Sequence, residues 1–268
     1  MSLKSDRWTV ARIQGLKGKK FACVTATDTC TAQWAEAAEI PLILVGDSLG
    51  MTTLGFDTTL LVTLEMMLHH TAAVVRGRSR ALVVADMPFL SYQISIESAL
   101  RNAGRFLQEA GADAVKIEGG EFRAPLVREL VRNGIPVLGH IGLLPQSVLA
   151  LGGYRVVGRT PEQIESLIAD ACALEDAGAF AIVLEAVRPD VARRVTERVA
   201  IPTIGIGAGP HCDGQILVIH DLLGLNDAPV PRFVQQYAHL GAQAIEALRR
   251  YREDVARGEF PGPEHSYD

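Results

Sequence analysis

No apolar run in this 268-residue chain approaches the roughly 20 residues that a membrane-spanning helix requires. The longest, such as Ile40 to Val45 and Ala179 to Leu184, stop far short of it, so no membrane association is expected. Cysteine is scarce: Cys23, Cys30, Cys172 and Cys212 are scattered, with no C-x-x-C pair. Cys23 and Cys172 fall inside apolar patterns, as buried thiols do, which points to a reduced, cytoplasmic protein. Basic charge is not in excess, with 26 Lys and Arg against 31 Asp and Glu for a formal net charge of −5. A nucleic-acid binder needs a concentrated basic face, and none is present. The chain is not poor in apolar residues either: 48% are hydrophobic and 21% charged, which excludes a disordered chain. Met1 to Arg7 carries charges with no apolar run behind them, unlike a secretory signal. No linker, charge block or low-complexity segment divides the chain. One domain over residues 1–268 is expected, with an N-terminal segment 1–20 and a helical C-terminal appendage 231–268.

What the chain does contain is one phrase repeated: a short β-branched apolar run, a polar residue or glycine, then a helical stretch. The runs are Phe21–Val24, Leu42–Val45, Leu82–Ala85, Ala114–Ile117, Ile135–Leu138, Ala181–Leu184, Thr203–Ile206 and Ile216–Ile219. Near-continuous apolar runs of this length fit strands covered on both faces, as in a parallel sheet. Thr63–Val75, Ser95–Ala110 and Pro161–Ala177 carry apolar residues at helical spacing. Gly111, Gly134 and Gly178 stand where a helix end needs a left-handed residue, and Thr160-Pro161 reads as a cap followed by a first helical turn. Eight strand–helix units in this length favour a closed (β/α)8 TIM barrel over an open doubly wound sheet. Phe233 to Ala256 adds an amphipathic helix outside the eight units. Such a helix needs another surface to cover, and a neighbouring subunit is the favoured one.

In such a barrel the chemistry sits where the strands end. Those positions carry Thr25 and Asp28, Asp47 and Ser48, Asp86, Lys116 and Glu118, His140, Glu185, a Gly205–Gly209 stretch, and His220 with Asp221. Asp28 reads as a helix N-cap, because Thr29 onward looks like a helix start. Asp47 and Asp86 both follow fully apolar strands. Converging carboxylates repel, and a hard divalent cation relieves that repulsion; with no Cys or His cluster beside them, Mg2+ suits the pair better than Zn2+. Strand alternation puts Lys116 and Glu118 on one face, and the inward face costs less than the space under the helices. An interior salt bridge is the structural alternative for that pair. Glu185 closes an apolar run, an environment that raises a carboxyl toward general-base use, although a structural carboxylate would look the same. His140 reads either as a ligand contact or as a satisfied polar group. The glycine-rich stretch lacks the acidic residue of a dinucleotide fingerprint and is assigned no cofactor. His69-His70 reads as surface or interface, and Met66-Met67 as core or subunit contact. Together these residues describe a Mg2+-dependent barrel enzyme suited to a 2-oxo acid held through its carboxylate and carbonyl oxygens, from which a base removes the adjacent proton.

The stretches Val45–Met51, Ala85–Phe89, Val115–Gly120, Gly139–Leu143, Pro145-Gln146-Ser147, Gly152-Gly153-Tyr154, Leu184-Glu185, Gly205–Gly209, Asp213-Gly214-Gln215 and Pro261–Ser266 closely resemble the ketopantoate hydroxymethyltransferase family, in order along nearly the whole chain. The resemblance implies a barrel of the phosphoenolpyruvate mutase/isocitrate lyase type, a homo-oligomer commonly assembled as a decamer. It also implies transfer of a hydroxymethyl group from 5,10-methylenetetrahydrofolate to α-ketoisovalerate, giving ketopantoate for pantothenate and coenzyme A synthesis. By this likeness Asp47 and Asp86 hold Mg2+, with Glu118 contributing directly or through water. Ser48 and Lys116 contact the oxo acid, Asp47, Asp86 and His140 complete its seat, and Glu185 is the base at C3. Four positions depart from the family pattern. Thr27 stands for a usual Tyr, Leu61 for a usual Pro and Leu144 for a usual Thr, and Arg188-Pro189 shifts a usual Pro. Two other readings are a lyase or mutase relative, whose cysteine-bearing loop is not matched here, and a catalytically silent paralogue, which the intact charged set argues against.

Overall fold

The computed structural model describes residues 6–153, 155–226 and 230–267; Tyr154 of the matching stretches, residues 1–5 of the N-terminal segment, and 227–229 and 268 of the C-terminal region lie outside them. Eight strands close into an all-parallel barrel in chain order. They are β1 (Phe21–Thr25), β2 (Leu42–Val45), β3 (Leu82–Asp86), β4 (Ala114–Glu118), β5 (Val137–Gly142), β6 (Ala181–Glu185), β7 (Thr203–Ile206) and β8 (Gly214–Leu217). Two strands differ from the sequence expectation by more than one residue at an end. β5 starts two residues late because Ile135-Pro136 still belongs to the approach, where Pro136 has no N–H for the ladder. β8 starts at Gly214 and ends at Leu217, so His220 and Asp221 leave the strand end for a short helix, Ile219–Leu223.

The strand columns explain how one sequence builds both a core and a site. Alternation sends every second residue inward. Reading up those columns gives Leu82, Val84, Asp86 on β3; Ala114, Lys116, Glu118 on β4; Leu138, His140 on β5; and Ala181, Val183, Glu185 on β6. The lower members join Leu42, Leu44, Phe180, Ile204 and Ile216 in the buried core, and the top of each column is charged or a histidine. Each fully buried aliphatic side chain contributes about 1.5–3 kcal/mol. The helix Val10–Gln14 brings Ile13 into this core, with Trp8 and Leu16 packed beside it.

The outer helices begin and end where the sequence places them, within two or three residues. Thr63, Ser95 and Thr160 cap Leu64–Gly77, Ile96–Gln108 and Pro161–Asp176 by accepting a backbone N–H. Asp28 caps Thr29–Ala37 in a reciprocal capping box with Thr31. Gly111, Gly134 and Gly178 take positive φ angles of 76°, 80° and 96°. Cys23 is buried as expected, whereas Cys172 is only half-buried and Cys212 is buried instead.

The chain divides into two compact units, Met1–Val218 and Ile219–Asp268, and the first holds all eight strands. In the second, the long helix spans Leu240–Arg257 rather than starting at Phe233. The Tyr237 N–H donates to the Leu222 carbonyl and the Gly241 N–H to that of Gly224. Ile245, Leu248, Tyr251 and Val255 recur along this helix at three- and four-residue spacing and are exposed. No helix among the described residues is long and apolar enough to cross a membrane.

Candidate active site

Parallel register sets the charged column tops side by side. Asp86 pairs with Lys116 across β3 and β4, and Glu118 with His140 across β4 and β5. On the next pair, Gly142 stands opposite Glu185. The Lys116 ammonium lies 2.8 Å from Asp86 Oδ1 and donates to His140 Nδ1 at 3.3 Å. His140 Nε2 stands 3.2 Å from Glu185 Oε2. Because the ammonium can only donate, Nδ1 must accept, and the imidazole proton is left on Nε2 facing Glu185. Burial, and then the Lys116 charge, push the His140 pKa down, so the ring in this chain is neutral.

The acids are crowded. Asp47, Asp86, Glu118 and Glu185 share the cluster with one permanent cation, Lys116. Burial, reinforced by the Asp86 charge, raises the Asp47 carboxyl to about 7. Burial likewise holds Glu118 well above the carboxylate range, where repulsion from Asp47 and Asp86 adds to it and Lys116 opposes it. Burial alone would lower the Lys116 ammonium, but Asp86, Glu118 and Asp47 outweigh it and keep the group firmly cationic. Glu185 is the most accessible of the four acids, its side chain 19% exposed.

Local backbone holds these groups in place. Gly46 lies under the Ser48 hydroxyl and near Asp86 Oδ2, where a side chain would meet both. Gly142 has φ +98°, and a Cβ there would collide with the Glu185 carbonyl oxygen. Ala186 takes φ +49°, a left-handed turn that a non-glycine residue adopts at a cost of about 1 kcal/mol. It turns the chain immediately beyond Glu185, and its N–H donates to the Ile206 carbonyl.

The structure brings the expected residues Asp47, Asp86, Lys116, Glu118, His140 and Glu185 into one cluster, with Ser48 beside Asp47. The sequence reading named these. It gave no role to Gln146 or Tyr92. Gln146 is buried; its side-chain N–H groups donate to Asp47 Oδ2 and the Met87 carbonyl, both at 2.9 Å. Its backbone N–H donates to Glu118 Oε2 at 3.1 Å. Tyr92 OH donates to Gln146 Oε1 at 2.7 Å and accepts the Glu118 N–H at 3.3 Å. Neither an amide nor a phenol announces itself by charge, and the only signal in the chain was Gln146's place in a matching stretch. Among the described residues no three His, Cys, Asp or Glu side chains form a ready metal-binding group. Asp47 and Asp86 are nonetheless joined directly, the Asp47 N–H donating to Asp86 Oδ2 at 3.0 Å.

The departures from the family pattern flank this cluster. Thr27 is buried, and its carbonyl lies 2.6 Å from Nδ1 of His70, which is therefore not a free surface histidine. Met67 is core, as one of its two expected roles required. Leu144 lines a cleft of about 340 Å³ with Gly142 and Asp170, whereas Leu61 and Arg188 are exposed.

A family model described as ketopantoate hydroxymethyltransferase matches residues 7–263. A 3-methyl-2-oxobutanoate hydroxymethyltransferase from Syntrophobacter fumaroxidans is 56% identical over 263 residues, covering 98% of this chain and 93% of that protein. One from Moorella thermoacetica is 54% identical, covering 98% of both, and one from Thermus thermophilus is 52% identical, covering 97% of this chain and all of that one. Among solved structures, 2,3-dimethylmalate lyase, a PEP mutase/isocitrate lyase superfamily member, aligns with a TM-score of 0.60 at 18% identity, over 95% of this chain and 90% of its own. The phosphoenolpyruvate phosphomutase of Streptomyces platensis subsp. rosaceus aligns with a TM-score of 0.59 at 15% identity, over 93% and 88%. These likenesses show the fold alone: the eight-stranded parallel barrel is shared with solved structures that include PEP mutase/isocitrate lyase superfamily members.

Proposed function

The chain belongs to the ketopantoate hydroxymethyltransferase family, and from that membership we propose that it transfers a hydroxymethyl group from 5,10-methylenetetrahydrofolate to 3-methyl-2-oxobutanoate (α-ketoisovalerate), giving ketopantoate in pantothenate and coenzyme A biosynthesis. The observation that carries the proposal is the joined set Glu185–His140–Lys116–Asp86–Asp47: an accessible carboxylate, a neutral imidazole, a fixed cation and two buried acids.

Mg2+ fits this set. The available donors are hard oxygens, the charge is in surplus on the acidic side, and Glu118 Oε1 is buried with no hydrogen-bond partner. Asp47 and Asp86 would hold the ion, with Glu118 contributing directly or through water. When bound, it supplies Lewis-acid stabilisation of negative charge on the oxo acid's carbonyl oxygen. The chain's own residues do the rest. Lys116 and Ser48 orient the oxo acid by its polar end. Glu185 accepts the C3 proton, and the His140 N–H steadies that carboxylate without adding a charge that would weaken it as a base. As the proton passes to Glu185, C3 gains the electron pair with which it attacks the one-carbon unit; the bonds from that carbon to the folate nitrogens break, water supplies the hydroxyl, and tetrahydrofolate leaves.

Proton NMR of α-ketoisovalerate in D2O with Mg2+ tests this directly. Loss of the C3 proton signal, followed by ketopantoate on adding 5,10-methylenetetrahydrofolate, is expected; the absence of both would overturn the proposal. The reading also carries a cytoplasmic protein assembled from several copies of the chain, a decamer by family likeness. The exposed apolar residues of Leu240–Arg257 support self-association.

A further inference from the structure

We infer that Gln146 is a positioning residue for the divalent cation, fixing one oxygen of Asp47 and one of Glu118 so that the other oxygen of each is left to face the ion. The inference rests on the Mg2+ reading above.

The three carboxylates share one pattern. Asp47 Oδ2 receives the Gln146 side-chain amide, Glu118 Oε2 receives the Gln146 backbone N–H, and Asp86 Oδ2 receives the Asp47 backbone N–H. The second oxygens of Asp47 and Glu118 lack such a tie. Glu118 Oε1 is buried without a hydrogen-bond partner, with His140 Nδ1 3.7 Å away. Asp86 Oδ1 meets only the Lys116 ammonium. One residue therefore supplies two of the three ties, from two different atoms of the same position.

Gln146 is itself locked, which separates a positioning device from a passing contact. Its Oε1 accepts from Tyr92 OH at 2.7 Å and from Gln93 Nε2 at 3.1 Å, while Nε2 also donates to the Met87 carbonyl. With donors on one side and acceptors on the other, the amide cannot flip without leaving buried groups unpaired. A carboxylate held by one oxygen presents the other along a fixed direction. That suits a small cation, which demands near-ideal geometry. Partners of metal ligands typically change metal affinity roughly 10–100-fold when removed.

Calorimetric titration of Mg2+ or Mn2+ into the protein without substrate tests the inference, with Gln146→Met as the volume-conserving variant. Binding roughly tenfold weaker or more is expected, and the deficit in C3 proton exchange should shrink as Mg2+ is raised. A purely structural role would lower exchange by a factor that Mg2+ does not change. Tyr92→Phe, which removes the hydroxyl that orients the amide and also accepts the Glu118 N–H, should weaken metal binding in the same direction by a smaller factor, and it serves as the test if Gln146→Met fails to fold. Unaltered metal affinity in a folded Gln146→Met, or in Tyr92→Phe where the first does not fold, overturns the inference. A parent protein that takes up no divalent cation would instead overturn the metal reading itself and this inference with it.

Discussion

The two ends of the barrel treat their acids in opposite ways. At the N-terminal ends of the strands, Asp113 and Asp213 sit one residue before β4 and β8 with both oxygens engaged. Asp113 meets Arg7 and Arg78 and accepts the Val83 N–H at 2.9 Å. Asp213 accepts the N–H groups of Gly18 and Thr203 at 2.8 and 2.9 Å and meets Lys17 at 3.2 Å. At the C-terminal ends, Asp47 and Glu118 each have one oxygen tied to an N–H and the other given no such tie, while Asp86 has its second oxygen on the Lys116 ammonium. A saturated acid binds segments of the chain to each other. A half-saturated one is poised for something the chain does not contain, and the folded state carries the cost.

The largest effect should come from the open end. Glu185→Gln should fold, bind Mg2+ and lose C3 proton exchange by about 10²–10⁴-fold, the range a general base contributes; retained exchange in D2O would remove Glu185 as the base. At the closed end, Asp213→Ala should cost about 3 kcal/mol in urea unfolding, since it strands a buried backbone N–H and frees Lys17. The exchange rate of its folded fraction should match the parent, and a lost rate would erase the division between the ends.

A subtler effect follows from Asp47. Its folded pKa is raised to about 7, above the unfolded value, so the folded state holds the proton longer. Without metal the protein should lose stability progressively as pH rises from the ordinary carboxylate value to about 7, and no further beyond it. In EDTA, Asp47→Asn should therefore raise the unfolding temperature relative to the parent at pH 8 more than at pH 4. Equal differences at the two values would show that Asp47 carries no such cost. The smallest effect belongs to neither end. Arg105 bridges Glu65 and Glu109 on the outer helices in the open, and Arg105→Ala should leave unfolding temperature and exchange alike unchanged.

The open end was far more legible in the sequence than the closed one. Charged residues at the tops of otherwise apolar columns break a pattern, which is why Asp86, Lys116, Glu118 and Glu185 could be read before any fold was in hand. Asp113 and Asp213 break nothing. They stand in turns, where acids are ordinary, and their meaning lies in arginine, lysine and amide partners that only folding brings to them. Gln146 was hidden for a related reason: its role depends on partners in four other stretches of chain. The ends of β5 and β8 slipped because apolar periodicity does not show where ladder pairing begins. His220 and Asp221 were misplaced with β8.

The contact between Gly142 and the Glu185 carbonyl has a consequence for how this protein can vary. Position 142 has no side chain and takes part in no chemistry, yet any residue larger than glycine would have to push the main chain of the base aside. In a saturation library selected for turnover, it should tolerate as few alternatives as Glu185 does. Tolerance at Leu144, two residues on in the loop that follows β5, should be broad. Sensitivity to substitution would then trace the backbone that carries the base as well as the atoms that react.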